Sequence, residues 1–108
     1  MLRGAESFGE EETVAGYVIA DVDVHDPETY EEYRKLVPGT LELFGGRFVV
    51  RGGKAETLEG EWAPKRIVVL EFPSVERARA WYESEEYQEA KAIRQRHSTG
   101  SLLLVEGV

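Results

Sequence analysis

The chain contains no cysteine. That removes disulfides, thiolate nucleophiles and Cys-type zinc sites together, and it fits a reducing cytosol. Histidine occurs only twice, as His25 and His97, so any imidazole base or haem ligand must be one of these. No stretch approaches the ~20 apolar residues of a membrane span, and residues 1–12 lack the apolar run of a secretory signal. Positive charge is scarce, with 13 Lys and Arg against 21 Asp and Glu for a net charge of −8. Such a field repels phosphate backbones and anionic lipid headgroups, so nucleic acid and membrane surfaces are not expected partners. The expectation is a cytoplasmic protein. No Ser-His-Asp order, phosphate-cradling loop or dinucleotide fingerprint is present either.

What is present is the composition of one small globular domain: 108 residues, 42% hydrophobic. The first residues mix Gly, Ser and a Glu run without helical or alternating period, which predicts a flexible acidic tail over 1–14 and a folded domain over 15–108. An acidic docking arm is the functional alternative for that tail. Residues 17–24 are β-branched and read as a strand. Asp26-Pro27-Glu28 then supplies an N-cap, a proline suited to the first helical position and an acid for the positive end of the dipole. Tyr30, Tyr33, Val37, Leu41 and Phe44 keep one helical stripe straight through Pro38, predicting a bent helix closed by Gly45-Gly46.

Residues 47–51 form a second strand, followed by a bulge or turn at Gly52-Gly53, and 65–72 a third. Ser74 and Ser84 each cap a helix, with stripes through Val75, Ala78, Trp81 and Tyr82, then Tyr87, Ala90, Ile93, Arg94 and His97. Ser98-Thr99-Gly100 is expected to break the chain before a last strand over 101–106. The order βαββαβ with right-handed crossovers predicts an α+β, ferredoxin-like, four-stranded antiparallel sheet of spatial order 4-1-3-2 with helices on one face.

Alternation sorts the strand residues into two faces. Val18, Ala20, Val22, Val24, Phe48, Val50, Val68, Leu70 and Phe72 form the apolar set expected under the helices. The opposite set holds Ile19, Val49, Ile67 and Val69 beside Asp21, Asp23, Arg47, Arg51 and Glu71. An uncovered face that is half apolar marks an interface, so a homodimer through the sheet face is expected.

A run of local motifs carries a resemblance: Asp26-Pro27-Glu28, Tyr30, Tyr33, Gly45-Gly46-Arg47-Phe48, Arg51-Gly52-Gly53, Glu59-Gly60 before Trp62, Glu71-Phe72-Pro73-Ser74, Trp81-Tyr82, Ser84, Tyr87 and Arg94. Over about residues 15–108 the chain resembles the bacterial family called domain of unknown function 1330. Members are similar to dimeric α+β barrel proteins, a superfamily that includes cofactor-independent monooxygenases, isomerases and haem-degrading enzymes. The family label itself assigns no reaction.

Several constellations bear on chemistry. Asp21, Glu71 and Arg51 are expected on one sheet face on neighbouring strands about 4.8 Å apart, where one acid would act as a proton-transfer group. A salt-bridge row fixing dimer register is the structural alternative. Asp21, Asp23 and His25 have the ligand chemistry of a metal site, but same-face neighbours along a strand lie nearly 7 Å apart and Asp26 stands where a calcium loop needs glycine. No metal and no cofactor is expected. Tyr33, Trp81, Tyr82, Tyr87 and Trp62 are candidates for an aromatic pocket or for plain core. Arg94, near an inner helix stripe, must pair with an acid or bind an anionic ligand. The leading expectation is a small organic molecule, carboxylated in its favoured form, held between sheet and helices. Asp21 and Glu71 would be the catalytic candidates there, and Arg51, Arg94, Tyr33 and Trp81 the binding ones, for cofactor-independent isomerase or monooxygenase chemistry. A non-catalytic assembly or regulatory module, with Arg51 and Arg94 fully paired with acids, and a haem-binding monooxygenase are the alternatives.

Overall fold

The side chain of Asp26 accepts hydrogen bonds from the Thr29 amide at 3.4 Å and from the Thr29 hydroxyl at 2.9 Å. Pro27 occupies the first turn behind that cap, so helix α1 (Pro27–Glu42) starts where the sequence places it. The computed structural model describes residues 14–108, and the acidic tail assigned to the start of the chain lies, apart from Val14, outside the described residues. α1 continues through Pro38, buries Tyr30, Val37 and Leu41, and ends as its stripe predicts. Gly45 adopts φ +75° and the Gly46 amide donates to the Leu41 carbonyl at 2.9 Å.

The remaining elements are β1 (Gly16–Val24), β2 (Arg47–Arg51), β3 (Ile67–Phe72), α2 (Val75–Glu83), α3 (Glu85–His97) and β4 (Ser98–Glu106). The four strands form one antiparallel sheet in the order β2-β3-β1-β4, the predicted ferredoxin-like arrangement. Ser74 and Ser84 cap α2 and α3 through side chains that accept from the amides of Arg77 and Tyr87. The core lies between helices and sheet, built on Val18, Leu70, Phe72, Ala78, Trp81, Tyr87 and Ala90.

Two expectations need correction here. Ser98-Thr99-Gly100 is not a break: these residues pair with Val24, Asp23 and Val22 and open β4 directly from α3. Gly100 suits that position because a Cβ there would overlap the Asp21 carbonyl. Turn-like composition was outweighed by strand pairing.

The second correction is larger. Phe48 pairs with Leu70, but Val50 pairs with Val69 and Arg51 with Val68, so a bulge near Val49 advances β2 by one residue. Past the bulge every side chain changes face. Val50 therefore moves to the uncovered face and Arg51 to the helix side, the reverse of strict alternation. The uncovered face carries Tyr17, Ile19, Val50, Val69, Leu103 and Val105 at mutually paired positions. Leu103 is 61% exposed.

Candidate functional site

Between α1, α3 and the sheet lies an open-mouthed cavity of about 40 Å3. By the same measure a single water needs ~10–15 Å3, so the cavity is small. Its walls are Val18, Ala20, Val22, Val68, Leu70 and Leu102 from the sheet, with Phe48 and Val37 beside them. Into this apolar lining come Tyr30, Tyr33 and Arg34 from α1, Arg51 from β2, Arg66 from the residue before β3, and Arg94 from α3. No carboxylate or imidazole lines it among the described residues.

The four arginines differ in burial. Arg94 is only 8% exposed, and its Nε donates to the Tyr87 hydroxyl at 3.3 Å. Arg34 and Arg66 are half-buried, each with a buried Nε that has no hydrogen-bond partner among the described residues. Arg51 is exposed at the mouth, lies 4.1 Å from the Phe48 ring centroid and donates to the Arg34 carbonyl at 3.1 Å. Only Arg34 has an acid partner among the described residues, an exposed contact to Glu31 at 3.0 Å.

Tyr33 and Tyr87 share a hydroxyl–hydroxyl bond of 2.8 Å, so Tyr33, Tyr87 and Arg94 form one continuous hydrogen-bonded line. Burial raises the pKa of Tyr30, Tyr33 and Tyr87, Tyr33 well above its ordinary value, so all three phenols are neutral at physiological pH. Trp81 reaches the cavity with its ring alone. Its Nε1 donates to the Thr40 hydroxyl at 2.9 Å, and its ring lies 4.0 Å from that of Tyr87. It is 1% exposed and belongs to the core as much as to the lining.

The expected row of Asp21, Glu71 and Arg51 does not exist. Asp21 pairs across the sheet with Ile67 and Glu71 with Tyr17, four positions apart along the strand, and the bulge carries Arg51 to the other face. Each acid has its own partners instead. Asp21 accepts from Trp62 Nε1 at 2.9 Å and from the amides of Lys65 at 2.9 Å and Arg66 at 3.3 Å. The Trp62 bond, followed by those amides, holds its pKa below the ordinary value. Glu71 accepts from the Tyr17 hydroxyl at 2.8 Å and meets Arg47 at 2.5 Å, and these two hold it low as well. Both are ionised at neutral pH, which does not suit a group poised to exchange protons there. Trp62, grouped with the pocket aromatics in the sequence, stands on the opposite side of the sheet and is 63% exposed.

His25 Nε2 lies 3.1 Å from the Thr99 hydroxyl, and His97 Nδ1 3.9 Å from Asp26. Neither lines the cavity.

Asp21 acts on the site from a distance. By gripping the amides of Lys65 and Arg66 it fixes the entry to β3, and the Arg66 side chain then crosses to the cavity side. The guanidinium lies against Gly52, whose φ of +73° and missing Cβ leave room for it.

Arg34 and Arg66 were not singled out from the sequence, although signals existed. Arg34 follows Tyr30 at helical i,i+4 spacing, and Arg66 is in phase with Val68, Leu70 and Phe72.

A sheet covered on one side by helices, with an apolar cleft between the layers, is a ferredoxin-like α+β architecture. The chain belongs to the family described as Domain of unknown function (DUF1330), whose model spans residues 15–108. It is similar in structure to the RPA0582 protein of unknown function from Rhodopseudomonas palustris, with 19% identity and a TM-score of 0.72 over 90% of this chain and 85% of that one. SnoaB, a cofactor-independent oxygenase from Streptomyces nogalater, is similar at 15% identity and a TM-score of 0.60 over 89% and 95%. A conserved protein from Methanosarcina mazei Go1 follows at 16% identity and 0.53 over 89% and 95%. No curated protein matches the chain. Among the described residues no helix is long and apolar enough to cross a membrane.

Proposed function

We propose that residues 15–108 are a cytoplasmic homodimerising domain that binds a small organic acid in the cleft of each subunit. The observation that carries this reading is the cationic cavity: Arg51, Arg66 and Arg94 meet no carboxylate among the described residues, although the chain as a whole is strongly acidic. Guanidinium groups in apolar surroundings are costly unless an anion completes them. Arg94 supplies the deepest positive charge, Tyr33 and Tyr87 orient it through the hydroxyl line, and Arg51 guards the mouth. Trp81 backs the cleft with an apolar ring.

The activity that goes with this site is cofactor-independent monooxygenase or isomerase chemistry, in which the cleft stabilises an anionic form of the substrate. The support is the likeness in fold to an oxygenase together with a lining that favours anions. Asp21 and Glu71, the acids first considered as catalysts, act in this proposal as positioning residues outside the cleft. A non-catalytic module would have both Arg51 and Arg94 neutralised by acids, and the described residues pair neither.

Thermal-shift screening against small mono- and dicarboxylic acids tests the binding. Acids are expected to raise the melting temperature of the native chain and to lose that effect with Arg94→Gln. Oxygen uptake without added cofactor, measured on any acid that binds, tests the chemistry. If no acid in the panel shifts the melting temperature, the reading fails.

A further inference from the structure

The number and placement of the arginines point beyond a single carboxylate. A carboxylate carries one negative charge and can neutralise only one guanidinium, although its two oxygens can accept hydrogen bonds from more than one. The cleft offers Arg34, Arg51, Arg66 and Arg94. Glu31 compensates Arg34 at the surface, and water reaches Arg51 at the mouth. Arg94 and Arg66 remain: one is buried with a neutral phenol as its partner, the other has a buried Nε with no partner among the described residues.

These two guanidiniums come from different elements. Arg94 projects from α3, while Arg66 enters from the start of β3, held there by Asp21 and by the space over Gly52. Tyr30, buried on α1, lines the same cavity as Arg34, Arg66 and Arg94, and their charges act against the burial that raises its pKa. The same cavity is lined from the sheet by Ala20, Val22, Val68 and Leu102, a floor with no hydrogen-bonding side chain.

We propose that the cleft is a site for a short dianion, either a dicarboxylate or a carboxylate with a second ionised oxygen. One anionic group meets Arg94, the other meets Arg66, and a short hydrocarbon spacer lies over the valine and leucine floor. The proposal rests on the anion-binding reading of the same cleft and narrows its ligand class. A longer ligand would extend through the mouth past Arg51.

Isothermal titration of the full chain at matched ionic strength, with succinate against butyrate and phthalate against benzoate, tests this directly. In at least one pair the diacid is expected to bind about tenfold tighter or better than its monoacid. Arg66→Gln and Arg94→Gln should each reduce the diacid to the affinity of the monoacid. Arg47→Gln, which removes an arginine from the other face of the sheet, should leave binding unchanged. Equal affinities for diacid and monoacid would overturn the dianion while leaving the anion site standing. An equal loss from Arg47→Gln would also overturn it, by showing that overall charge governs the binding. Failure of all four acids to bind would overturn the dianion and the anion site together.

Discussion

The two faces of the sheet carry charge in opposite ways. On the uncovered face Asp21 has three hydrogen-bond donors and Glu71 has Tyr17 and Arg47, so these two acids are completed within the chain. In the cleft under the helices the charges are arginines, and three of the four have no acid partner among the described residues. Completed charges hold structure, whereas uncompleted ones in apolar surroundings need something from outside. The difference separates scaffold from site more sharply than either set of residues does alone.

Changes to each face should therefore have different consequences. The largest effect on stability is expected from Trp81→Ala, which empties the layer beneath the cleft and should cost ~3–5 kcal/mol, read from urea unfolding. An unchanged unfolding midpoint would mean that the ring serves the cleft and not the core. Next is the uncovered face. Leu103→Asp, at an exposed position paired with Ile19, should convert the proposed dimer to a 12.2 kDa monomer in light scattering while the acid-induced thermal shift survives. Loss of that shift on dissociation would tie the cleft to the partner subunit.

Gly52→Ala is a subtler probe of the inner face. It strains a backbone at φ +73° and crowds the Arg66 guanidinium, so acid binding should weaken by about tenfold. Unchanged titration curves would show that Arg66 has no part in the site. The smallest effect belongs to Asp21→Asn. The native pKa of Asp21 lies below its ordinary value of 3.8, so its contribution to stability is present above that pH and is lost as the pH falls through the lower native value. The variant should flatten the acid limb of the melting-temperature profile and leave the neutral-to-alkaline limb in shape. An acid limb identical to that of the native protein would show that the carboxylate does not anchor the loop.

Much of the fold was legible residue by residue. Asp26-Pro27, Ser74 and Ser84 mark helix starts because each satisfies amides within its own first turn, a matter of three or four neighbouring residues. The stripe from Tyr30 to Phe44 predicted a helix that runs through Pro38, and Gly45-Gly46 closes it as expected. The start of β4 was not legible, because Ser98-Thr99-Gly100 has the composition of a turn and becomes strand only by pairing with β1. For the site, Arg94 was recognisable as a charge at an inner helix stripe. Arg51 was placed on the wrong face, since alternation holds only while pairing is regular.

The amino-acid order by itself determined the caps, the helical stripes, the strand order and the presence of a second, half-apolar sheet face, because these depend on local periodicity and on few-residue hydrogen bonding. Only the tertiary structure decided that β2 bulges near Val49 and that Arg34, Arg51, Arg66 and Arg94 converge on one cleft. A bulge is a property of two strands in register, and a cluster drawn from three elements and the loop before β3 exists only once they pack.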